Sequence, residues 1–238
     1  MSAIGIVGGV GPLAGTDLAD KVFKHTKAVR DQDHIDLYLV SCPSLIPDRT
    51  EFLLNGGADP VPGMECCIEK LASCGATVVG ISCNTAHSPD IIDRVKLPSA
   101  VTLINMIEKT CQFVKSNFAD SKIGLLCTLG TLQTDVYDKY FQDLVKPDLD
   151  VATAIHSAIY DKDYGIKAIS PITLAARDIV CNAILHLKEK GCKAVILGCT
   201  ELPLVFPGQN SYQGVSLIDP TEILAVELVK AVAPEKLI

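Results

Sequence analysis

No stretch of the 238-residue sequence approaches the roughly 20 apolar residues needed to span a bilayer, so no membrane partner is expected. No run of Lys or Arg interrupts the net charge of −7, which argues against a nucleic-acid surface. An anionic ligand stays admissible, because a few local cations and helix N-termini reverse the field inside a cleft. The start, Met1-Ser-Ala-Ile-Gly-Ile-Val-Gly-Gly9, has no basic segment ahead of its first apolar run; no signal peptide is expected, and the expected compartment is cytoplasmic. Cysteine is plentiful, at ten residues, yet C-x-x-C spacing is missing. Cys66-Cys67 and Cys74 have no second half-site after them, which removes a zinc ribbon. Most cysteines fall inside apolar runs (Cys127, Cys192) or helical patterns (Cys66, Cys67, Cys111, Cys181), where a reduced thiol acts as a small hydrophobe. With 48% hydrophobic and 21% charged residues, the chain reads as one large soluble globular domain or two small ones.

Two cysteines stand out from this background. Gly75-Ala-Thr-Val-Val-Gly-Ile-Ser-Cys83 and Gly191-Cys-Lys-Ala-Val-Ile-Leu-Gly-Cys199 each run from a glycine through an apolar stretch to a cysteine followed by small polar residues. Glycine and cysteine both repeat at an offset of 116. A pseudo-twofold pair of thiols can face one carbon from opposite sides, one removing a proton and the other delivering one.

Eight short, largely apolar runs alternate with amphipathic segments. They are 3–7, 35–41, 77–81, 100–104, 121–127, 149–153, 193–197 and 214–218. Helical periodicity falls over 13–29, 60–74, 104–118, 132–144, 172–190 and 221–232. This alternation predicts βα units and parallel sheets buried on both faces. Ile4-Gly-Ile-Val repeats as Ile123-Gly-Leu-Leu, so two similar four-strand α/β halves are expected. The division is 1–103 plus 218–238 and 104–217, because the last helix has no later strand to pack on and should cross back to the first half.

Both Cys83 and Cys199 fall at predicted strand C-termini, where open α/β sheets bind ligands. A helix N-terminus there stabilises thiolate. Asn84, Thr85 and Thr200 offer donors beside the thiols and also suit helix capping. Gly8-Gly-Val-Gly11-Pro12 matches the dinucleotide fingerprint G-x-G-x-x-A, but the second strand ends Leu39-Val-Ser-Cys-Pro43 without the acid that would hold a ribose. The alternative is a tight turn whose N–H groups bind a carboxylate. Arg49 lies in a loop after the second strand, where it can grip a carboxylate or simply be solvated; Lys167 is equally open. His87, one turn after Cys83, either tunes a thiolate or is an ordinary helix residue. Glu201 can orient an ammonium, relay protons or serve as a first-turn acid.

Gly8-Gly-Val-Gly-Pro12, Ile46-Pro-Asp-Arg-Thr50, Cys83-Asn-Thr-Ala-His87, Thr128-Leu-Gly-Thr131, Gly198-Cys-Thr-Glu201 and Ile218-Asp-Pro220, in this order, resemble the aspartate/glutamate racemase superfamily. The resemblance is to its cofactor-independent aspartate branch. It implies two pseudo-twofold-related α/β/α domains with mainly parallel sheets and an active site in the cleft between them. It also implies two catalytic cysteines, Cys83 and Cys199, with no pyridoxal phosphate and no metal, and a homodimer. By motif, Asn84, Thr85, Thr131 and Thr200 would hold the α-carboxylate of an amino acid. Arg49, with Lys167, would hold its distal carboxylate, and Gly11 and Glu201 would line the site. Glutamate racemases usually carry histidine where this chain has Glu201, and the Pro47-Asp-Arg-Thr50 loop resembles the aspartate branch. Racemisation of glutamate or another amino acid is the rival within the class; a non-catalytic binding protein that kept the cleft is the rival outside it.

Overall fold

A computed structural model describes residues 2–238. The first half contains β1 (Ala3–Val7), α1 (Pro12–Lys24), β2 (Leu37–Val40), α2 (Arg49–Asn55), α3 (Val61–Ser73), β3 (Ala76–Ile81), α4 (Pro89–Ile92) and β4 (Thr102–Ile104). The second contains α5 (Met106–Asn117), β5 (Ile123–Cys127), α6 (Leu129–Gln133), β6 (Leu144–Val145), α7 (Leu149–Tyr160) and α8 (Leu174–Glu189). It continues with β7 (Ala194–Gly198), β8 (Ser211–Tyr212), β9 (Val215–Ile218) and α9 (Pro220–Val232).

The first sheet has the order β2-β1-β3-β4 and is parallel throughout. The second has the order β6-β5-β7-β9-β8, parallel except at its β8 edge. Apart from β8, the two orders correspond strand for strand, as the repeat requires. The central strands β1, β5 and β7 are buried at every position, the expected state of parallel strands covered on both faces. Gly75 and Gly191 turn helix into strand in the left-handed region, at φ 102° and 91°, which explains why the repeat begins on glycine.

Leu224 and Leu228 of α9 press on Gly80 of β3, where a Cβ would meet Leu228 Cδ1 at 2.9 Å. The last helix therefore crosses back to the first sheet, as its position predicts. One apolar core joins Ile4 and Ile6 to Ile123, Leu125 and Ile196 through Met106, Ile107 and α9. Burial of each such side chain is worth about 1.5–3 kcal/mol.

Four expectations need correction. Residues 149–153 are not a strand but the start of α7. Their short alternation is part of a twelve-residue helical period that buries Ala152, Ile155, Ala158 and Ile159, and the edge strand beside β5 is the two-residue β6. Helix does not run over 132–144, because Asp135 adopts φ 47° and ends α6 in a series of turns. Arg49 is not in a loop: it opens α2, whose Asp48 cap accepts from the Thr50 and Glu51 amides and whose C-cap is Gly56 at φ 67°. The second sheet has five strands, since Gln213 and Gly214 both take positive φ and fold β8 back on β9.

Candidate active site

Cys83 follows β3 and Cys199 follows β7, at the carboxyl ends of corresponding strands in the two sheets. Their residues are 8% and 7% exposed. Their surroundings carry opposite charges.

The Arg49 guanidinium lies beside the Cys83 thiol. It donates to Pro47 O at 3.2 Å and to Val10 O, while its Nε has no partner among the described residues. Burial opposes the charge, but the neighbouring Cys83, Asp48 and Tyr160 outweigh it and raise the Arg49 pKa. His87 is buried and binds the Cys83 carbonyl, not the thiol. The Met106 amide donates to Nε2 at 3.4 Å, so Nδ1 carries the ring proton and donates to Cys83 O at 2.7 Å. Burial pushes His87 down to about 4, leaving it neutral. Its place is that of a brace between the Cys83 backbone and the start of α5.

The Cys199 thiol donates to Glu201 Oε2 at 3.0 Å. Lys167 Nζ donates to Glu201 Oε1 at 2.6 Å and lies 5.4 Å from the Tyr160 ring centroid. The Thr200 hydroxyl stands 3.2 Å from Ser82 O and 3.3 Å from Glu201 Oε2. Burial, then the Glu201 charge, lift Cys199 well above the ordinary thiol range. Burial raises Glu201 as well, yet Lys167 and the hydrogen bonds prevail and hold its carboxyl below the usual range. Burial lowers Lys167, but Glu201 dominates and the net shift is upward. Gly11 borders this group: a Cβ there would stand 2.7 Å from Glu201 Oε1.

Side chains from both halves meet at the residues that flank these groups. Tyr137 donates to Asn84 Oδ1 at 2.5 Å, and Asn84 Nδ2 has no partner among the described residues. Thr85 reaches Thr131 at 2.8 Å and Thr128 at 3.2 Å. Tyr160 reaches Asp48 at 3.3 Å. Every expected site residue except the partly exposed Lys167 is thus buried. Sequence reasoning omits Thr128, Tyr137 and Tyr160. Thr128 caps α6 and was visible in Thr128-Leu-Gly-Thr131; nothing in the sequence singles out the two tyrosines.

Buried, unpartnered N–H donors at Arg49 and Asn84 suit carboxylate oxygens. Among the described residues no group of three or more His, Cys, Asp or Glu is placed to hold a metal ion. A groove of about 960 Å³ lies elsewhere, between α1, α5 and α9. The groove's Lys21 and Lys109 are paired with Asp17, Asp219 and Glu227.

The sequence matches a family model described as Asp/Glu/Hydantoin racemase over residues 7–228. It is 29% identical to the glutamate racemase of Listeria monocytogenes over 160 residues, covering 65% of this chain and 57% of that protein. It is 26% identical to the glutamate racemase of Thermus thermophilus over 168 residues, covering 69% and 58%. The chain therefore spans less than two thirds of the length of either relative. The Picrophilus torridus aspartate racemase structure superposes with a TM-score of 0.81 at 28% identity, covering 98% of this chain and 94% of that one. A Pyrococcus horikoshii aspartate racemase homologue shares the fold, with a TM-score of 0.66 at 22% identity and coverage of 98% and 100%. With the family model matched along nearly its whole length, the chain belongs to the Asp/Glu/Hydantoin racemase family.

Proposed function

We propose that the protein interconverts L- and D-aspartate without pyridoxal phosphate or a metal, with Cys83 and Cys199 as the two bases. The observation that carries this reading is the pair of buried thiols at equivalent strand ends, with unpartnered carboxylate-binding donors beside them. One cysteine, as thiolate, removes the Cα proton. The resulting charge spreads into the α-carboxylate, where Asn84, Thr85, Thr131 and Thr200 donate to it. The other cysteine, as thiol, returns a proton to the opposite face. Roles exchange for the other enantiomer.

Arg49 and Lys167 would take the distal carboxylate, with Gly11 leaving room beside them. Glu201 in place of histidine, the Pro47-Asp48-Arg49-Thr50 segment and the likeness to the Picrophilus aspartate racemase favour aspartate. Glutamate is the second reading, favoured by the Listeria and Thermus relatives. In this account residues 1–103 plus 218–238 and 104–217 act as the two domains, and the working unit is a cytoplasmic homodimer. No described helix is long and apolar enough to cross a membrane.

A chirality-resolved assay of each enantiomer of aspartate and glutamate, without added cofactor, tests the reading. Conversion of aspartate toward equal amounts of both forms is expected. Conversion of glutamate alone supports the second reading, and conversion of neither removes both.

A further inference from the structure

Each oxygen of the Glu201 carboxylate faces a different proton donor. Oε2 takes the Cys199 thiol at 3.0 Å and Oε1 takes the Lys167 ammonium at 2.6 Å. The carboxylate is almost wholly buried, while the Lys167 side chain keeps a quarter of its surface open. With Lys167 in place the carboxylate charge is compensated, so Glu201 has little call on the thiol proton. A buried carboxylate that loses its cation takes up a proton instead of staying charged. The proton within reach is that of Cys199.

We propose that Glu201 is the proton acceptor for Cys199, and that a substrate carboxylate binding Lys167 triggers the transfer. The inference rests on the racemase reading above and deepens it. A distal carboxylate arriving at the open side of Lys167 draws the ammonium from Oε1. The Cys199 S–H bond then breaks, an O–H bond forms at Glu201 Oε2, and the electron pair stays on sulfur. Net charge does not change, and the thiolate appears only once a dicarboxylate is seated. An amino acid without a second carboxylate leaves Lys167 on Glu201 and Cys199 protonated. Specificity then arises in proton transfer as well as in binding. Cys83 has no counterpart of this device: its charged neighbour is Arg49. The different residues that follow the two cysteines, Asn84-Thr85 and Thr200-Glu201, thereby acquire a functional meaning.

The test is difference infrared spectroscopy of the full chain, with and without equilibrated DL-aspartate carrying carbon-13, which moves the ligand's own carbonyl bands. DL-alanine serves as the ligand without a distal carboxylate. Aspartate is expected to raise a carboxylic-acid C=O band together with ultraviolet thiolate absorbance, both rising over the same aspartate concentrations. Alanine is expected to raise neither. Glu201→Gln should abolish the band. If that variant does not fold, the matched concentration dependence in the wild type carries the test. A wild-type protein that racemises aspartate without the band, or a band that persists in Glu201→Gln, overturns the proposal. A wild type that exchanges no Cα proton overturns the racemase reading, and this inference with it.

Discussion

Gly11 and Glu201 stand so close that a single methyl separates a working arrangement from a clash. A Cβ on Gly11 would lie 2.7 Å from Glu201 Oε1, the oxygen that Lys167 holds. The Gly11 backbone is extended, at φ −179°, so alanine is admissible there without strain. Through that contact Gly11→Ala should still destabilise the fold by about 1–3 kcal/mol, the usual cost of overpacking a buried site. Aspartate turnover should fall on the order of 100-fold, the cost of displacing a positioned group by about 1 Å. Urea unfolding and a racemisation assay on the same preparation check both halves of this statement.

Arg49 borders Cys83, and its Nε has no partner among the described residues. Arg49→Ala should lower kcat/KM for aspartate by about 100-fold, or about 2.7 kcal/mol at 1.36 kcal/mol per decade. An amino acid lacking the side-chain carboxylate should lose much less. Equal losses for both substrates would remove Arg49 from the distal-carboxylate role.

Tyr137 is fully buried and its hydroxyl serves Asn84 Oδ1. In Tyr137→Phe that oxygen is left buried without a donor. Destabilisation of about 1–3 kcal/mol should follow, read as a lower urea midpoint. Turnover should fall too, because Asn84 is then free to rotate.

His87 gives a pH dependence with a definite sign. Its folded pKa is about 4, against 6.5 for the free side chain. Between those values the unfolded chain binds a proton that the folded chain refuses. The His87 contribution is thus constant above about pH 6.5 and declines as pH falls toward 4, by about 3 kcal/mol in all at 1.36 kcal/mol per unit. Denaturation midpoints measured across this range should drop in the parent and flatten in His87→Gln. An unchanged slope in the variant would assign the acid sensitivity to other groups.

Much of the fold was legible because period and punctuation agreed. Gly75 and Gly191 marked two strand starts, and the apolar runs after them became β3 and β7. The failures have local causes. Leu149-Asp-Val-Ala-Thr153 is β-branched and alternating over five residues, and only the continuation to Tyr160 shows a helical stripe. Asp48 followed by Glu51 and Gly56 formed a cap-to-cap signal for α2 that the two prolines before it obscured. At the site, motif order brought out the thiols and their immediate neighbours. Tyr137 and Tyr160 reach it from turns and a helix distant in sequence, so their roles depend on tertiary packing alone. The cation on each side was equally hidden, since Arg49 and Lys167 sit 34 and 32 residues from the cysteines nearest them, whereas the anion Glu201 follows Cys199 by two.

The central claim is that two cysteines work on opposite faces of one Cα. The most direct measurement is Cα deuterium uptake and racemisation of each aspartate enantiomer in heavy water, for the wild type, Cys83→Ser and Cys199→Ser. The account predicts that the wild type racemises with solvent deuterium at Cα, and that either single substitution abolishes racemisation. Racemisation at the parental rate by either serine variant would contradict it.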